Sequence, residues 1–139
     1  MPTILKYIIL GVLGLLIVFV SSLFQKVVIP IEQRDFSHFL NYNFTKVAGC
    51  IFLIIGLLIG YFSRLNPWYV GLSLFSIFPL TSLAESIINK GSHNLIPFEF
   101  IMYFIYSLPT IFAVYIGKFI LGQVGNRKAK PDNKMERKA

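Results

Sequence analysis

With 139 residues the chain has room for a single domain, and 55% hydrophobic residues with a mean hydropathy of +0.69 exclude an ordinary soluble one. A formal charge of +7 would point a soluble protein towards nucleic acid. Here six basic residues crowd into the final GNRKAKPDNKMERKA, where no aromatic offers bases a stacking platform, so nucleic acid is not an expected partner.

The first apolar run, YIILGVLGLLIVFVSSLFQ, lies between Lys6 and Lys26 without a charge. It is longer than the core of a signal peptide, and no convincing Ala-x-Ala site follows, so it reads as a retained helix. A mixed segment follows, from about Gln25 to Thr45. Within it Val27 to Ile31 is β-prone, and Phe36, Phe39, Leu40 and Phe44 recur at helical spacing. That pattern suggests a short interfacial helix, starting near Asp35 or Ser37 and lying on the membrane surface.

The second run, VAGCIFLIIGLLIGYFS, lies between Lys46 and Arg64. Gly49, Gly56 and Gly60 fall on one side of it with Leu53, and Gly56 and Gly60 form a small-xxx-small pair that admits a close neighbour. Cys50, the sole cysteine, cannot form a disulfide within the chain and reads as a small interface residue. A tight turn follows at Ser63-Arg64-Leu65-Asn66-Pro67, with Pro67 suited to the first turn of the next helix. Trp68 and Tyr69 come next, at headgroup depth.

The third run, LNPWYVGLSLFSIFPLTSLA, reaches Glu85; the fourth, FIMYFIYSLPTIFAVYIG, lies between Glu99 and Lys118. Pro79 and Pro109 are expected to kink these two helices, each freeing a carbonyl one turn earlier. Ala113 and Gly117 repeat the small-xxx-small spacing in the fourth. The expected spans are about 4–24, 45–63, 67–87 and 97–121, a four-helix transmembrane domain over 1–124 with a basic, disordered tail over 125–139. The fold class is therefore an all-α integral membrane protein, an antiparallel four-helix bundle. Placing both termini in the cytoplasm gives nine basic residues inside and four outside, so the positive-inside rule favours N-in, C-in. The cell membrane, of the bacterial cytoplasmic type, is the expected location.

Between the third and fourth runs lies ESIINKGSHNLIPFE, which concentrates the chain's unusual polar residues. Glu99 comes just after Pro97, where a glutamate complements a helix start. With Tyr103, Tyr106 and Thr110 it falls on one helical face. Glu85 stands near a helix C-terminus, where the dipole disfavours a negative charge, so it requires a partner. Thr81 and Ser82 lie one turn below it. Glu85, His93, Asn94, Glu99, Tyr103 and Tyr106 are the candidate contact residues. His93 with Glu85, Glu99, Asp35 or His38 supplies carboxylates and an imidazole, but the spacing matches no zinc signature and leaves any metal unknown.

No Gly-x-Ser-x-Gly, Walker A or paired haem histidines appear, so no catalytic residue and no cofactor is assigned. A membrane acid/base or metal-dependent enzyme acting at Glu85 and His93 is the weakest of three readings. A small-solute or ion-coupled transporter working as an oligomer is the alternative, but the first two runs contain no ionisable group and the halves show no repeat. The favoured reading is a non-enzymatic accessory, assembly or sensing subunit. Its expected partners are the lipid bilayer and either a second membrane protein or a second copy.

Overall fold

The computed structural model describes residues 2–24, 36–88 and 96–128. Val27 to Ile31, Arg34, Asp35, Lys90, His93, Asn94 and the final stretch 129–139 lie outside the described residues. The described chain is helical: α1 (Thr3–Phe24), α2 (Phe36–Asn43), α3 (Lys46–Phe62), α4 (Pro67–Phe75), α5 (Ile77–Ile88) and α6 (Ile96–Lys128). Among the described residues two helices are long and apolar enough to cross a membrane: α1, and α6 over Pro97–Gln123. A third is the α4–α5 pair, if its two limbs form one span, while α3 is apolar but has 17 residues. The outward faces are themselves apolar, with Ile8, Val12, Leu16, Phe112 and Phe119 all exposed. A helix hydrophobic on every side fits a lipid surround.

Small residues set the packing. The most extensive contact pairs α3 with α6, followed by α4 with α6 and α1 with α4. Gly56 lies against Thr110 and Ala113, and a methyl added to Gly60 would collide with the backbone carbonyl of Val114. A methyl added to Gly117 would likewise collide with the backbone carbonyl of Leu57. These three glycines and Ala113 thus line one interhelical seam. Gly49 does not belong to it: an added Cβ there would meet nothing within 4 Å. The helices have diverged by that level, and Leu53 faces outward with it. In α1 the close approach is at Gly14, where a methyl would strike the Leu74 carbonyl.

The two prolines behave differently. A 44° bend separates α4 from α5 at Ser76, one turn before Pro79. Pro79 has no N–H for the Phe75 carbonyl and its ring crowds that group, so the helix breaks upstream of the proline itself. α6 instead runs unbroken through Pro109, which faces outward. The nearby hydroxyls of Thr81 and Ser107 bond carbonyls other than those that the prolines leave without an N–H. Thr81 Oγ1 donates to Ile77 and Phe78, and Ser107 Oγ donates to Phe104 at 2.7 Å.

One helix end departs from expectation and another follows it. α6 continues to Lys128, past the apolar run that ends near 121, since no proline intervenes before Pro131. At the other connection, Asn66 Oδ1 accepts from the Trp68 N–H at 3.0 Å and Pro67 occupies the first turn of α4, which gives the short 63–67 turn a defined exit.

Candidate functional site

The polar residues at the α2 end of the bundle are organised by α2. Its sequence carries Ser37, Leu40 and Asn41 on successive turns. Ser37 and Leu40 are buried, Leu40 completely. α2 therefore turns its buried side into the protein, packing on α5 and α1. The spacing of Phe39, Leu40 and Phe44 was legible, but what it faces is protein. Phe39 packs its ring, tilted, against that of Phe19 of α1 at 5.3 Å between ring centres. Phe44, just past the end of α2, drops its ring among Phe75, Phe78 and Tyr106 at 5.5 Å each and Phe52 at 5.8 Å.

Glu85 holds the start of this helix. Its Oε1 accepts from the Ser37 N–H at 2.9 Å, across 48 residues of sequence. Ser37 is the second residue of α2, so its N–H belongs to the orphan donors of a first turn. A carboxylate that is badly placed for the dipole of α5 is thus well placed for that of α2. The Ser37 N–H, at a helix terminus, is thus one partner of the kind that the position of Glu85 demanded. Glu85→Gln retains a carbonyl acceptor but removes the charge, whereas Glu85→Ala removes both. The alanine variant is expected to lose about 1–2 kcal/mol, as cap removals do, and the glutamine variant less than half as much. Thermal unfolding of both in detergent measures the pair; equal losses would show that the hydrogen bond contributes nothing.

One turn deeper, Tyr103 joins three helices. Asn41 Nδ2 donates to its hydroxyl at 3.1 Å, and the same hydroxyl lies 3.1 Å from Ser82 Oγ. Ser82 is fully buried and Tyr103 nearly so. Truncating either partner strands the other in an apolar interior. Tyr103→Phe and Ser82→Ala should each destabilise by about 1 kcal/mol, and the double variant by clearly less than their sum, with a coupling of about 0.6 kcal/mol or more. Strict additivity in the melting data would contradict the bond.

Glu99 lies one turn before Tyr103, as Glu85 lies one turn beyond Ser82, so the two carboxylates flank the Ser82–Tyr103 bond on antiparallel helices. α6 begins at Ile96, one residue before Pro97, which makes Glu99 its fourth residue. Glu99 walls a groove of about 360 Å³ with Asn41, Phe44, Phe98, Met102, Tyr103 and Tyr106. Tyr106 does not continue the buried stripe: it is 39% exposed, and Tyr103, Ser107 and Thr110 form the inward face instead. The arrangement brings together Glu99, Tyr103 and Tyr106 and links Tyr103 to the turn below Glu85. Among the described residues no three His, Cys, Asp or Glu side chains are grouped to hold a metal ion.

Several contributors are absent from the sequence reading. Gly11 and Gly14 stand three apart in α1, in register with buried Val18 and Ser21, a signal as plain as the one in the second run. Asn41 carried no signal and Ser37 only that of a possible helix start, because α5 and α6 supply their partners. Comparisons with protein-family models, with curated proteins and with solved structures find no match to the chain.

Proposed function

We infer that the chain is a four-pass protein of a bacterial-type cytoplasmic membrane, with α1, α3, the α4–α5 pair and α6 as its spans. Several features support this. The exposed faces are apolar. The 17 residues of α3 rise about 26 Å, and Lys46 and Arg64 at its ends can reach towards the headgroups to make up the difference. Nine basic residues against four favour both termini on the cytoplasmic side.

Within that frame the chain acts as a non-enzymatic accessory, assembly or sensing subunit, and its specific contact lies at the α2 end. The observation that carries this reading is the rim of the Glu99 groove. Phe98, Met102 and Tyr106 stand exposed around a carboxylate, on a base held rigid by the Glu85 and Tyr103 bonds. Aromatic residues and methionine around a few polar groups are the composition of interface centres, and a rigid base lowers the entropic cost of docking.

Native mass spectrometry of the protein, extracted gently from its own membrane, tests the reading. A stoichiometric protein partner, released by Phe98→Ala, is the expected result. A lone chain with no partner, or a partner indifferent to the Phe98 and Tyr106 side chains, would overturn it.

A further inference from the structure

The seam between α3 and α6 opens like a wedge. At Gly60 and Gly117 the two backbones touch, at Gly56 an added Cβ would lie 3.0 Å from Thr110, and at Gly49 it would meet nothing within 4 Å. Between the separated ends lies a groove of about 560 Å³, walled by Gly49, Leu53, Phe75, Ile105, Pro109 and the ring of Tyr106. Lys46 stands at its mouth, exposed, in the first turn of α3. Among the described residues no carboxylate forms an ion pair with it.

Such a cleft has one natural filling in a bilayer. Its walls give water few hydrogen-bond partners, and leaving it empty forfeits van der Waals contact along both helices. From Lys46 to Leu53, α3 rises about 10 Å, which is most of the roughly 15 Å depth of one leaflet's hydrocarbon. The groove thus begins at a cation near the interface and runs down into the acyl region. We propose that it is a lipid site, holding one acyl chain of an anionic phospholipid along Gly49 and Leu53 with its phosphate on Lys46. The proposal rests on the membrane-spanning reading above, but not on the contact surface at the Glu99 groove. The lysine supplies affinity for the negative headgroup, and the open side of Gly49 supplies the room for the chain. The Phe44–Tyr106 pair forms the partition between this groove and the one at Glu99, so the two sites share a wall without sharing a floor.

The test uses the full chain, purified in detergent and titrated with phosphatidylglycerol or with phosphatidylcholine, with retained lipid read by native mass spectrometry. One phosphatidylglycerol per chain is expected to survive, in preference to phosphatidylcholine. Lys46→Gln should weaken its retention by about fivefold, the weight of one basic residue near a membrane surface. Gly49→Leu should abolish retention by filling the groove, while the protein melts no lower than the parent, because an added Cβ meets nothing within 4 Å and the groove has room for the rest of the side chain. Retention unaffected by Gly49→Leu would overturn the site. Equal retention of both lipids, unchanged in Lys46→Gln, would overturn the headgroup assignment. A second copy of the chain seated there, seen as a dimer that Gly49→Leu dissociates, would replace lipid as the occupant. Flotation with vesicles is measured alongside: a chain that fails to float would remove the membrane reading itself and this proposal with it.

Discussion

Gly60→Leu is expected to be among the most damaging single substitutions in the protein, lowering stability by about 3 kcal/mol or more. The reason is geometric. The first added carbon would already collide with the Val114 carbonyl, which is main chain and cannot swing aside as a side chain can. Relief requires α3 and α6 to separate, and this seam is the largest contact in the bundle. Small residues also carry more of the association between helices in lipid than in water, because apolar burial alone gives little advantage there. Gly117→Leu should behave alike, since it meets the same seam from the other side. Gly49→Ala is the internal control: it faces open space and should gain up to about 1 kcal/mol from helix propensity. Thermal unfolding of the three variants in one detergent decides the matter. A Gly60→Leu protein that melts with the parent would show that the helices do not cross at this point.

Phe44→Ala should cost about 3 kcal/mol, near the lower end for an aromatic truncation because the ring is only half buried. Its ring contacts reach α3, α4, α5 and α6, so its loss opens a void at the junction of four helices. The loss should be felt locally as well as globally. α2 is held to the bundle by Phe44 at one end and Glu85 at the other, so freeing one end should raise proteolysis near Asn43 well before the helices unfold. Phe44→Leu refills most of the volume and should recover all but the ring–ring part, about 1 kcal/mol. Proteolysis at the parent rate in Phe44→Ala would show that the ring does not tether α2.

The helical framework was legible because long uncharged runs leave the backbone few alternatives, and because glycine pairs mark close contact on any apolar helix. The existence of α2 was legible for the same reason of spacing. Its placement was not. Leu40 and Phe44 look the same whether an amphipathic helix rests on lipid or on protein, and the choice is made by Glu85 and Tyr103, which are 48 and 62 residues away from their partners Ser37 and Asn41. Glu85 itself shows how far local reasoning reaches. Its conflict with the dipole of its own helix announced a missing partner, but nothing nearby in sequence identified a backbone N–H. Pro79 and Pro109 illustrate a different limit. Both remove one hydrogen bond, yet only the first coincides with a break between helices, so the proline alone does not determine the bend.

The order in which the helices pair has a consequence for synthesis. α1 rests chiefly on α4 and α3 chiefly on α6, so each early helix finds its principal mate only after a later one has been made. On the four-pass reading proposed above, a chain synthesised only as far as α3 presents glycine faces whose principal mates are still to be made. α2 waits as well, since its anchors are on α5 and α6. The protein should therefore mature in one late step once α6 is in place, and a chain interrupted after Phe62 should be an early substrate for membrane quality control, not a half-built bundle.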